Sequence, residues 1–226
     1  MKIFFNGDSH TCGSELKDPL INCYSYRLAQ LLNAEVIGNP SVGGAGNDRI
    51  LRTTEEFLHE CKGNYPDLIV IGWSECYRFD WYYETQYRTC GSENDGLSLN
   101  AAEITDVKRY KYTIENMRNS ELGILAVYFQ NQMFNLHLKL NHLKIPHLFL
   151  NAHCSFNEHM IGYQNFKFYE FDWNKSFWNP YDNTNGCFLT WGKNKGYRPT
   201  THHHLPKEAH EEFSYLLKNY IKTNIL

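Results

Sequence analysis

The chain opens "MKIFFNGDSH", residues 1–10, and the reading of this stretch decides the fold. Ile3, Phe4 and Phe5 form an unbroken apolar run, and Asn6-Gly7-Asp8-Ser9 is a cluster of turn formers. A short apolar run closed by such residues reads as a buried strand followed by a sharp turn. A serine on a turn between strand and helix has an exposed hydroxyl and a backbone N–H free to donate, as a nucleophile requires. The alternative is that Asp8 or Ser9 only shapes the turn or caps helical residues.

The same alternation continues outward. Asp18 and Pro19 offer an N-cap and a first-turn proline. Leu20, Tyr24, Leu28, Leu31 and Leu32 then give one apolar helical stripe. "AEVIG" (34–38) is a second strand closed by "NPSVGGAGN" (39–47). Ile50, Thr54, Phe57, Leu58 and Cys61 mark a second helix, and "PDLIVIG" (66–72) is a third strand. Residues 73–104 read as an elaborated loop. Helical spacing returns at Val107, Tyr110, Ile114 and Met117 and, after a break near Asn119-Ser120, runs through Leu122 to Leu140. "PHLFLNA" (146–152) is a fourth strand, residues 155–200 a second elaborated loop, and a last helix from about Pro206 buries Ala209, Phe213, Leu216, Leu217 and Tyr220. Apolar strands alternating with helices indicate a parallel sheet covered on both faces.

At 226 residues, with 42% hydrophobic and 15% aromatic content, the chain suits one domain, residues 1–226, with a sizeable core. A net charge of −3 provides no basic footprint for nucleic acid. No apolar run reaches the roughly 18 residues that span a bilayer. Polar Asn6 interrupts the N-terminus too early for a signal peptide, so a cytoplasmic location is expected. Seven scattered cysteines, odd in number and never in C-x-x-C spacing, fit reduced thiols.

In parallel sheets ligands collect beyond the carboxyl ends of the strands, which turns several loops into one candidate site. The glycines of "SVGGAGN" let backbone approach a ligand and direct N–H groups at negative charge; a plain Gly-rich turn, or a phosphate cradle, is the alternative. "IGWSEC" (71–76) comes within one residue of a G-x-S-x-G elbow, with Cys76 in place of the last glycine, which makes Ser74 a rival nucleophile. "PTTHHHLPKEAH" (199–210) carries three consecutive histidines before the last helix. Neighbours on an extended segment point to opposite sides, so at most two of the three converge on one ion. A zinc site would need His153, Cys154 or His159 as partners, and no metal or other cofactor is expected. His202 and His203 read as rim residues and His210 as a surface or capping residue. The aromatic stretches "CYRFDWYYETQY" (76–87) and "FKFYEFDWNKSFW" (166–178) could stack on sugars or pack long loops.

Taken together, these pieces resemble the SGNH (GDSL-type) hydrolase family over nearly the full chain. The resemblance rests on the serine of "FNGDSH", a glycine of "NPSVGGAGN", the segment after "DLIVI", and "HLPKEAH", which is similar to the family's closing H-P-x-x-x-G-H. It implies a flavodoxin-like α/β/α sandwich and hydrolysis of a small acyl ester, with an O-acetylated carbohydrate as one substrate class. It implies Ser9 as nucleophile, His204 as base, and the N–H groups of Ser9 and Gly44 as oxyanion donors, with Asp8, Asn47 and His203 in support. Two positions depart from the family pattern. Ser74 stands where the family has an asparagine oxyanion donor, and Thr201 where it has the aspartate that orients the histidine. Asp172, Asp182 or a backbone carbonyl could orient His204 instead. A binding module that engages a glycan or protein through the same cleft is the second reading, and a phosphate- or nucleotide-binding module the third.

Overall fold

The computed structural model describes residues 1–76, 78–83, 86–90, 122–153, 175–178 and 186–226. Its main sheet comprises β1 (Lys2–Gly7), β2 (Glu35–Gly38), β3 (Leu68–Trp73), β6 (His147–Asn151) and β7 (Phe177–Trp178). Their spatial order is β2-β1-β3-β6-β7, with every neighbouring pair parallel. The described helices are α1 (Ser9–Cys12), α2 (Pro19–Asn22), α3 (Tyr24–Leu31), α4 (Asn47–Glu60), α5 (Leu122–His142), α6 (Phe188–Asn194) and α7 (Lys207–Asn224).

Successive strand residues point to opposite faces, so the apolar runs supply two cores. Ile3, Phe5, Val70 and Leu148 pack with Tyr24 and Leu28 of α3 and Phe213 and Leu217 of α7. Phe4, Ile69, Ile71 and Phe149 pack on the other face with Ile50 of α4 and Met133, Leu136 and Leu140 of α5. The outcome is a three-layer α/β/α sandwich. The chain leaves β1 first for β2 on one side and then for β3 on the other, so the carboxyl ends of β1 and β3 form a switch point.

Two glycines make that point close-packed. Gly7 and Gly72 are paired across β1 and β3. A Cβ on Gly7 would fall 2.7 Å from the Gly72 carbonyl oxygen and 2.2 Å from Thr11 Oγ1. One on Gly72 would fall 2.8 Å from the Tyr24 hydroxyl. The missing side chains allow α1 to rest on the strand ends.

Four expectations are corrected. The helix starting at Pro19 is broken at Cys23, whose ψ of 153° is extended, and Leu20 is 64% exposed rather than part of the core. His210 is buried, and its Nδ1 accepts the Tyr24 N–H at 3.1 Å, so it caps the start of α3 from inside the molecule. Residues 73–104 are not all loop: β4 (Phe79–Tyr83) and β5 (Gln86–Cys90) form an antiparallel hairpin, and their Trp, Tyr and Thr content suits strands although no apolar/polar alternation announces it. Residues 155–200 likewise contain β7 and α6. The helical spacing at Val107–Met117 lies outside the described residues.

A second buried histidine sits at the far end of the sheet. His147 Nδ1–H donates to the Ile145 carbonyl at 2.8 Å, so its Nε2 is an acceptor for His137 Nδ1–H at 2.8 Å, and Asn141 donates to His137 Nε2 at 2.9 Å. Burial lowers His147 to about 4 and His210 to about 3. Both stay neutral in the fold, whereas an unfolded imidazole takes up a proton near pH 6.5. Stability is therefore full above about pH 6.5 and is lost as pH falls toward 4, where only the unfolded chain binds the protons. Thermal melts should give a lower Tm at about pH 5 than at about pH 7.5, with His147→Gln narrowing the difference; a flat Tm across this range would refute the assignment. Gly7→Ala is expected to cost about 1–3 kcal/mol, because the new Cβ overlaps a backbone oxygen, and denaturant titration reads it directly.

Candidate active site

Asp8 is the N-cap of α1, and its Oδ1 accepts the His10 N–H at 3.0 Å. Ser9 is thus the first helical residue, with no intrahelical acceptor for its own N–H. A cavity of about 340 Å³ opens here, at the carboxyl edge of the sheet, and Ser9, Gly44, Arg78, His153, His203 and His204 all line it. Gly44 has φ +76°, a left-handed conformation that glycine adopts without strain.

Residues from both ends of the chain meet in this cavity. Glu15, in the loop after α1, accepts from His204 Nδ1–H at 2.9 Å. The Thr200 hydroxyl donates to the same Glu15 oxygen, and the His204 N–H donates to Thr200 Oγ1 at 3.1 Å. The Thr200 hydroxyl, and then His204, hold the Glu15 carboxyl below the usual carboxylate range. A carboxylate can only accept, so the Nδ1 that faces it carries the proton and Nε2 is left with its lone pair. The position three residues before His204 is Thr201, yet a carboxylate does orient the ring; it arrives from 189 residues away. Glu15 itself has φ +67°, a conformation uncommon outside glycine, and so sits at a strained point of the α1–α2 loop. Nothing in the sequence singles it out. The available signal is the vacancy at Thr201 together with an acid close behind Ser9.

Ser74, Asp8 and Asn47 lie beneath the cavity rather than along it. Ser74 is fully buried, and its hydroxyl donates to Asp8 Oδ2 at 3.1 Å. Asn47 accepts the Ser74 N–H at 2.9 Å and donates to the carbonyls of Ser74 and Glu75, both at 3.1 Å, so it braces the turn after β3. Arg78 crosses this layer. Its Nη1 is 3.6 Å from Asp8 Oδ2 and 3.3 Å from Ser74 Oγ, and its Nε is 3.1 Å from Glu75 Oε2. The other Glu75 oxygen is 2.5 Å from His153 Nδ1. Neither Glu75 contact is well aligned as a hydrogen bond, and the one to Arg78 sets charge against charge.

His10 lies under the histidines that line the cavity. It is fully buried, with ring centroids 5.2 Å from His153 and 5.4 Å from His204. Burial first, then His153, His204, His210 and Arg78, holds it well below the usual imidazole range, so it is neutral. His202 is 75% exposed, with Nε2 3.6 Å from Glu15, and belongs to the rim. Among the described residues no group of three or more His, Cys, Asp and Glu side chains is arranged to hold a metal. Cys154, His159, Asp172 and Asp182 lie outside the described residues, as does most of the second aromatic stretch. Cys12, Cys23, Cys61, Cys76 and Cys187 are free thiols, and no described helix is long and apolar enough to cross a membrane.

A family model matches residues 12–160. The chain belongs to the family of unknown function DUF6071. The DUF6071 match begins beyond Ser9 and stops short of His204. No curated protein matches the chain. Among solved structures it is similar to a lipase, Lip_vut3, from a goat rumen metagenome, at a TM-score of 0.57, 15% identity and 97% coverage of each chain. It is similar to TesA at a TM-score of 0.56 and 15% identity, covering 99% of both chains. The psychrotrophic esterase EstA from a Pseudoalteromonas species is similar at a TM-score of 0.52 and 13% identity, covering 99% of this chain and 95% of that one. This DUF6071 chain has the SGNH (GDSL-type) hydrolase fold.

The Glu15 contact fixes the tautomer of His204. Long-range proton–nitrogen NMR at about pH 8 should therefore find His204 in the Nδ1–H form; an Nε2–H ring would refute the arrangement.

Proposed function

We propose that this protein is a serine hydrolase of small acyl esters, with Ser9 as nucleophile and His204 as its base. One observation carries the reading: Ser9 and His204, from opposite ends of the chain, line one cavity, and Glu15 holds His204 by Nδ1. His204 Nε2 takes the proton as Ser9 Oγ attacks the ester carbonyl, and Glu15 stabilises the resulting imidazolium. The oxyanion is received by the N–H groups of Ser9 and Gly44. The Arg78 guanidinium, on the same cavity wall, adds positive charge where the family pattern has an amide. Collapse of the intermediate expels the alcohol, which takes the proton from His204, and leaves Ser9 acylated; water then gives a proton to His204 as it attacks the acyl carbon, and the acid leaves as Ser9 Oγ takes that proton back. A cavity of about 340 Å³ suits a short acyl group, an acetyl ester of a carbohydrate included.

The reading as a binding module is favoured by a different observation, the engagement of the Ser74 hydroxyl by Asp8, which takes it out of use as an oxyanion donor. Labelling by a fluorophosphonate separates the two. Wild type should label and Ser9→Ala should not, while Ser74→Ala still labels. Absence of labelling in a folded wild type that admits the probe would refute the hydrolase. Glu15→Gln should lower kcat/KM by roughly 10²–10⁴-fold with little change in Tm, the scale set by the orienting aspartate of serine proteases. A loss below about threefold would remove Glu15 from the mechanism.

A further inference from the structure

Building on that hydrolase reading, we propose that Thr200 is a positioning residue of the site, whose hydroxyl ties the Glu15 carboxylate to the main chain of His204 and so holds the imidazole in orientation. The proposal rests on a closed ring of hydrogen bonds. Glu15 Oε2 accepts from His204 Nδ1–H at 2.9 Å and from the Thr200 hydroxyl, and Thr200 Oγ1 accepts the His204 N–H at 3.1 Å. A single carboxylate oxygen thus reaches His204 at two points, the ring directly and the backbone through Thr200. The direct contact fixes a distance and a tautomer. The second attachment restrains rotation of the ring about its side-chain bonds.

Glu15 needs such an anchor because its own loop gives it none. It lies between α1 and α2, outside any helix or strand, at φ +67°, and its side chain is 33% exposed. Among the described residues both hydrogen bonds to its carboxylate come from residues 200–204, and His202 Nε2 adds a looser contact at 3.6 Å from Oε1. That segment is a closed turn: the Thr200 N–H donates to the His204 carbonyl at 2.8 Å, and the His203 N–H to the Thr200 carbonyl at 3.0 Å. A carboxylate can only accept, so the Thr200 proton points to Glu15 and the Thr200 lone pairs are left for the His204 N–H. A hydroxyl that accepts from an N–H is itself polarised as a donor, which strengthens its bond to Glu15.

The consequence falls on the charged form of the base. An imidazolium at His204 is stabilised by Glu15 only while the carboxylate stays ionised and stays on Nδ1. The Thr200 hydroxyl serves both needs, since it favours the ionised carboxyl and keeps it beside the ring. Without that hydroxyl Glu15 is a solvated acid on a loop, free to turn to water, and the ring loses its second attachment. Thr200 therefore does for a glutamate 189 residues away what proximity in the chain does for an aspartate three residues before the histidine.

The test compares Thr200→Val, which keeps the shape and removes the hydroxyl, with Thr200→Ser, which keeps the hydroxyl. On phenyl acetate, kcat/KM should fall about tenfold in Thr200→Val, the lower end for a hydrogen bond to a charged group, and less than about threefold in Thr200→Ser. In a Glu15→Ala background the valine should cost less than about a further twofold, because both substitutions act through one carboxylate. Carbon-13 NMR of the Glu15 carboxyl, which needs no turnover, should show it titrating at higher pH in Thr200→Val than in wild type. A valine variant as active as wild type, a serine variant as poor as valine, losses that multiply with Glu15→Ala, or a Glu15 titration that valine leaves unmoved overturns the role of Thr200, with Ser9 and His204 left in place. Should Thr200→Val not fold, wild type decides: a Glu15 carboxyl that titrates in the ordinary carboxylate range overturns the proposal. Turnover that persists in Ser9→Ala overturns the hydrolase reading and the positioning role together.

Discussion

The approach of α1 to the strand ends is the constraint on which the site depends. Gly7 and Gly72 are register partners, and both lack the Cβ that would push Thr11 away. Thr11 and Tyr24 hydroxyls close the gap at 2.7 Å. With α1 seated there, Asp8 points down to Ser74 and Arg78 while Ser9 stands at the cavity. Gly13, at φ +75°, then turns the chain so that the loop carrying Glu15 runs back along the same rim. Ser9 and the Glu15 carboxylate that meets His204 are therefore placed by the same short helix.

How much of this could be read in advance follows from the range of each interaction. The apolar runs of β1, β3 and β6 act locally and on both faces, so strand identity and the layered architecture were legible from order alone. The turns that carry Ser9 and Gly44 were legible for a similar reason: turn chemistry depends on immediate neighbours. Glu15 was not, because a single acid in a loop looks like any solvated acid until His204 is placed beside it. His210 read as a surface or capping residue, and it is a cap, but nothing local shows that it caps from inside; the demand comes from the Tyr24 N–H at the start of α3. The break at Cys23 was hidden likewise, since Leu20 continues the helical spacing although the chain has turned.

The layer beneath the cavity explains how Ser74 can stand where the family pattern has an amide. Asp8 is wholly buried beside Ser9, and an uncompensated carboxylate there would be costly. The Ser74 hydroxyl and Arg78 both turn to it, and Asn47 fixes the backbone that carries Ser74. Buried ion pairs of this kind contribute little net stability, since desolvation offsets most of the Coulomb attraction. What they supply is position: Arg78 can satisfy Asp8 and Glu75 together only with its guanidinium lying across the floor of the cavity.

That arrangement also determines where positive charge can reside among the histidines. His10 is closest to the centre, yet it is the most completely buried, and a proton on it would be repelled by protons on His153 and His204. His204 has the Glu15 carboxylate hydrogen-bonded at Nδ1, whereas His10 has no hydrogen-bond partner on either nitrogen among the described residues. Charge is thus excluded from the centre. The neutral His10 ring fills the space between His153 and His204 and meets the Phe188 ring edge-on beneath them.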